Sequence, residues 1–90
     1  MIGSLFPLGR VLITANAKDA LDGTDVLSGL EQHAQGKWGD LSEDDRIENE
    51  RSLNEGFRLL SAYEDRNGTR YWIITEADRS ATTVLLPEDY

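Results

Sequence analysis

The dipeptide Asn67-Gly68 is the feature that most limits how this chain folds. It lies between two runs of strand-forming residues, Leu59–Arg66 and Thr69–Thr75. Asn-Gly is the favoured pair for a two-residue hairpin turn of type I′, whose central residues both need positive φ. Such a turn predicts a register in which Arg66 opposes Thr69. Asp65 then faces Arg70, Tyr63 faces Trp72, Ser61 faces Ile74 and Leu59 faces Glu76, all on one side of the hairpin. The other side pairs Glu64 with Tyr71, Ala62 with Ile73 and Leu60 with Thr75. Neither side is polar throughout, so helices or other chain are expected to cover part of both.

The remaining elements follow from local patterns. Gly9–Thr14 (GRVLIT) reads as a strand, with Pro7 tolerated just before it. Asn16–Asp22 is alanine-rich and fits one or two helical turns, interrupted by Gly23. Thr24 or Asp25 then caps a helix to about Gln35, with Val26, Leu27, Leu30 and Ala34 at helical spacing. Ser42 is a strong cap for a further helix, with Asp45 in the capping-box position and Glu43, Asp44 and Asp45 in the first turn. That helix ends near Gly56, and its apolar face is thin: Ile47, Leu53 and the following Phe57. Ala81–Leu86 is a third strand after the turn Glu76–Ser80, and Pro87 ends it. The expected fold is a single α+β domain, residues 1–90. An antiparallel sheet of three to four strands carries two packed helices, as a meander from Leu59 to Leu86 plus the N-terminal strand.

Charge narrows the function classes. The net charge is −8 over 90 residues, and it is uneven. Residues 1–24 are neutral, with two bases against two acids. Residues 25–56 hold nine acids and three bases, and residues 57–90 six acids and four bases. A negative field repels phosphate backbones, so direct nucleic-acid binding is not expected. The acidic middle segment reads either as a solvated helix that aids solubility or as a face that docks on a basic partner. No run reaches the roughly 20 apolar residues of a membrane helix. Met1–Arg10 lacks a basic leader and an apolar core, and reads as a mature cytoplasmic start. There is no cysteine, hence no disulfide framework and no cysteine-based zinc site.

Candidate chemistry is sparse. His33, the one histidine, either favours the negative end of its helix or joins Asp40, across HAQGKWGD, to bind a metal or shuttle a proton. Trp38 lies outside any regular element; it either folds back over a small core or anchors a partner. Glu76, Asp78 and Arg79 form either a salt-bridged turn or a polar site at a sheet edge. A buried Glu76 would need Arg58 or Arg79 as its partner. No serine sits in a nucleophile elbow, and no glycine-rich phosphate or dinucleotide motif is present, so no cofactor is expected.

Several stretches also resemble a known group. These are His33, Trp38-Gly39-Asp40, Asp45, Asn49, Gly56, Arg58, Ser61-Ala62-Tyr63, Trp72–Arg79, Thr82-Thr83 and Leu86–Tyr90. They are similar to small proteins encoded on bacterial plasmids and other mobile or integrated elements, some labelled plasmid-related proteins. The similarity spans His33–Tyr90, about two thirds of the chain. It implies a plasmid or mobile-element association and no particular reaction. Some of the group carry a label tied to restriction-endonuclease subunits, but this chain is too short to hold a methyltransferase cofactor domain.

Three classes of function follow. The first is a small non-enzymatic accessory protein acting by protein–protein contact, with mimicry of DNA charge as a special case. The second is a metal-dependent or acid–base enzyme using His33, Asp40, Glu76 and Asp78. The third is a homo-oligomer that pairs across an exposed sheet edge.

Overall fold

The structure is a computed structural model that describes residues 4–90. The reading of Met1–Arg10 as a mature start therefore falls partly on residues outside it. In chain order the elements are β1 (Arg10–Ile13), α1 (Ala15–Ala20), α2 (Gly23–Ala34), α3 (Glu43–Glu55), β2 (Leu59–Glu64), β3 (Arg70–Thr75) and β4 (Ala81–Leu85). A short 3-10 turn, Pro87–Asp89, closes the chain. The α+β class and the β2-β3-β4 meander match the expectation from sequence.

The sheet is mixed, not antiparallel. Its order is β1-β4-β3-β2, with β1 parallel to β4. All three helices and the β2–β3 hairpin intervene between these two strands. A connection that long allows a parallel pair, which a tight turn could not. Among the described residues the helices number three, because Thr14 caps α1 by accepting from the Ala17 N–H. The cap of α2 is Asp22, which accepts from the Asp25 N–H; Gly23 is its first residue and not an interruption. Ser42 caps α3 through the Asp45 N–H, and Gly56 ends it in the left-handed conformation.

The hairpin register is shifted by one residue. Glu64 pairs with Arg70, Tyr63 with Tyr71, Ala62 with Trp72, Ser61 with Ile73 and Leu59 with Thr75. The cause lies in Asp65. Its carboxylate accepts from the Asn67 and Thr69 N–H groups, and its own N–H bonds the Thr69 carbonyl. Only Gly68 takes positive φ, at 81°, so the loop has three residues and not two. That is the turn-plus-bulge alternative to an Asn-Gly type I′ turn. The other Asp65 oxygen accepts the Asp22 N–H and joins the hairpin tip to the start of α2. These three backbone donors, Thr69 first, hold the Asp65 carboxyl below its usual range.

A one-residue shift exchanges the two faces. The inner face carries Leu59, Ser61, Tyr63, Tyr71, Ile73, Thr75, Thr82 and Val84. Helices α1 and α2 cover one end of it through Ala17, Leu21, Val26 and Leu30, packed with Tyr71, Ile73, Val84 and Leu86. Phe6, Trp38 and Leu59, flanked by Leu8, Leu41 and Leu53, fill the other end. On the outer face Trp72 packs edge-on against Tyr90, at 5.8 Å. Asp89 ties the C-terminus back to the start of α1 by accepting from Thr14 and Asn16.

Helix α2 reaches the sheet at Gly29. A Cβ there would overlap the Tyr71 hydroxyl, which donates to the Asp25 carbonyl at 3.0 Å. Gly29→Ala is expected to lower stability by about 1–3 kcal/mol in urea unfolding, because the ring cannot move without losing that bond. Unchanged stability would mean that α2 stands farther from β3.

Candidate functional site

His33 is fully buried on α2, and its ring joins three strands. Nδ1 lies 2.5 Å from Ser61 Oγ on β2, and Nε2 lies 2.8 Å from Thr75 Oγ1 on β3. Thr75 Oγ1 is 2.7 Å from Thr82 Oγ1 on β4, and Thr82 donates to the Leu8 carbonyl at 2.7 Å. The carbonyl orders the whole chain, because it can only accept. Thr82 spends its proton on Leu8, so Thr75 donates to Thr82. Thr75 must then accept from His33, so Nε2 carries the hydrogen. Nδ1 is left as an acceptor, and Ser61 donates to it. Burial keeps the imidazole neutral, and the network then fixes its Nε2–H tautomer.

Aromatic rings enclose the same histidine. Phe6 stands edge-on to it at 5.3 Å and Trp38 at 5.7 Å, while Phe6 and Trp38 stack at 6.2 Å. Removal from water therefore penalises the imidazolium, and the His33 pKa falls from 6.5 to about 4. The sequence reading of His33 as a cation favouring a helix end does not describe this ring.

Trp38 is buried and covers the core, with its indole N–H donating to Glu50 at 2.9 Å. Arg79 reaches the cluster from outside: its guanidinium lies 5.8 Å from the Phe6 ring centre. It also donates to the carbonyls of Ser52 and Phe57, near the end of α3. Arg79 holds positive φ, 63°, inside the β3–β4 turn, where its guanidinium also bonds the Glu76 and Ala77 carbonyls. His33, Trp38 and Arg79 thus converge around Phe6.

Asp40, Glu76 and Asp78 do not join them. Asp40 is exposed and pairs with Arg70 at 3.3 Å. Glu76 is exposed and forms no ion pair among the described residues; its carbonyl closes the turn by accepting the Arg79 N–H. Asp78 accepts the Ser80 N–H, and bonding to the Ser80 side chain is the main cause that lowers its carboxyl pKa. Among the described residues no three His, Asp or Glu side chains stand close enough to hold a metal ion.

The Ser61–His33 contact has the spacing of a nucleophile and its base. Neither side chain has any exposed surface, however, and Nε2 is committed to Thr75. The arrangement positions protons and holds strands together. Ser61, Thr75, Thr82 and Phe6 escaped the sequence reading. The signal for the first three was small hydroxyl residues at inward strand positions, but the register expected from sequence put Ser61 and Thr75 on opposite faces. Comparison of the chain with protein-family models, with curated proteins and with solved structures gives no match.

Stability should depend on pH through this ring. The unfolded chain protonates His33 below about pH 6.5, whereas the folded chain does so only near pH 4. The contribution of His33 is therefore full above pH 6.5 and is lost as pH falls through that window, on the order of 3 kcal/mol in all. Asp25, Asp65, Asp78 and Asp89, all held below their ordinary range by hydrogen bonds, act only at lower pH. Urea unfolding between pH 7 and pH 5, above the range where those carboxyls titrate, checks this, and a nearly flat profile in a His33→Gln control assigns the loss. Thr75→Val, nearly isosteric, strands the His33 Nε2–H and should cost about 2 kcal/mol.

Proposed function

We propose that this chain is a small non-enzymatic accessory protein that works by contact with a basic protein surface. The observation that carries this reading is the solvent face of α3. Glu43, Asp44 and Asp45 are exposed there and make no ion pair among the described residues. Arg51 is committed to Glu48 and Glu55, and Arg46 donates to the Gly39 carbonyl. Two apolar side chains, Ile47 and Phe57, stand exposed beside these acids at 59% and 51%. Charged groups around exposed apolar anchors are features of a contact surface.

A groove of about 290 Å³ lies between α3 and β2, lined by residues that include Asp45, Glu48, Phe57, Leu60 and Arg58, whose guanidinium is engaged by the Tyr90 hydroxyl and ring. Its composition suits a lysine or arginine from a partner, with the stem along Phe57 and Leu60 and the charge at Asp45 and Glu48. The sign of the charge disfavours nucleic acid as the direct ligand. We further read the protein as associated with a plasmid or mobile element, which the resemblance over residues 33–90 supports.

Capture from host-cell lysate, with and without the triple variant Asp44→Lys, Asp45→Lys and Glu48→Lys, tests this reading. A partner should bind the natural chain, weaken with salt, and lose at least about tenfold in affinity on reversal of the charges. A partner held equally by both forms, or none held by the natural chain, would defeat it. Far-UV circular dichroism controls for the stability that first-turn acids give α3.

A further inference from the structure

We propose that β1 is a pairing strand, through which two copies of this chain join their sheets into one. The two edges of the sheet are treated differently. At the β2 edge, the Asn49 side chain bonds both the N–H and the carbonyl of Leu60. The Ala62 N–H donates to the Trp38 carbonyl, and its carbonyl accepts from the Asp40 N–H. Gly39, at φ 78°, lets the chain lie this close, since a Cβ there would overlap the Ala62 carbonyl. That edge is filled at Leu60 and Ala62, the middle of β2, which leaves no room there for another strand.

The β1 edge has no such cover among the described residues. The Arg10 and Thr14 N–H groups bond inward, to the Ser80 and Val84 carbonyls. Alternation in a parallel pair then directs the N–H and carbonyl of Val11 and Ile13 outward. The side chains of Val11, Leu12 and Ile13 are exposed at 49%, 39% and 40%. Soluble proteins blunt such an edge with charge, proline or a bulge unless it is used. Arg10 at its start is the one charge in β1, and no charge, proline or bulge lies within Val11–Ile13.

A second copy fits this edge in both geometry and charge. An antiparallel two-fold pair centred on Leu12 sets Val11 opposite the partner's Ile13. Residues on both sides then have outward main-chain groups, so each such pair exchanges two hydrogen bonds. A register slipped by one would oppose outward groups with inward ones and make none. Arg10 falls opposite the partner's Thr14, so no like charges meet. The chain's excess acid lies elsewhere, because residues 1–24 are neutral while α3, beside the β2 edge, has six acids and two bases. Joining through β1 keeps the acidic helices at the two far ends of the combined sheet.

This surface is separate from the acidic face of α3, and neither reading needs the other. Sedimentation velocity from low-micromolar to millimolar concentration tests it on the full chain. The natural protein should sediment at twice its 10.1 kDa mass as concentration rises, with slowed amide exchange at Val11 and Ile13. Val11→Pro removes only an outward N–H, a position where an edge strand tolerates proline, and should restore the single mass. Leu12→Lys, which leaves the main chain intact, should do the same. The triple α3 variant should still pair. A single mass throughout the range, or pairing that survives both β1 variants, would overturn the proposal.

Discussion

His33 has no contact with water, and the hydrogen bonds around it run in one direction, from Ser61 through the ring, Thr75 and Thr82 to the Leu8 carbonyl. An imidazole in that position is tolerable only if it is neutral and both of its nitrogens are satisfied. Meeting that condition draws α2, three strands and the N-terminal segment to one point. The aromatic pair Phe6 and Trp38 closes the space above the ring, and Arg79 secures Phe6 from outside while holding the end of α3. A small core gains from this, because a directional network specifies one arrangement where apolar packing alone would allow several.

What the interior fixes, the surface can use. The β2 edge is sealed by Asn49, Trp38 and Asp40, which also brings α3 alongside the sheet with its carboxylates outward. The opposite edge is apolar over Val11–Ile13 and open among the described residues. The molecule thus presents two chemically distinct faces on one frame, and its one histidine belongs to the frame.

Much of this was legible in the sequence. Ser42 and Gly56 marked both ends of α3, and the apolar spacing of Val26, Leu30 and Ala34 marked α2. Trp38 was legible as a core cover because so large an apolar side chain seldom stays wet. The register was not legible, because an Asn-Gly pair fits both a two-residue and a three-residue loop. The choice fell to Asp65, whose carboxylate competes for loop N–H groups that local pattern does not reveal. That single residue of slip separated Thr75 from Ser61 on paper and hid the partners of His33. The pairing of β1 with β4 was hidden for another reason: it joins segments at opposite ends of the chain.

The imidazole 15N spectrum of His33 at neutral pH tests the central claim most directly. A neutral ring should appear, with Nε2 protonated and Nδ1 as the acceptor. Coupling across the Nε2–H bond, or its slow exchange with solvent, should mark the hydrogen held by Thr75. A ring with hydrogen on Nδ1, or a protonated imidazolium in the folded protein at neutral pH, would contradict the ordered chain from Ser61 to Leu8.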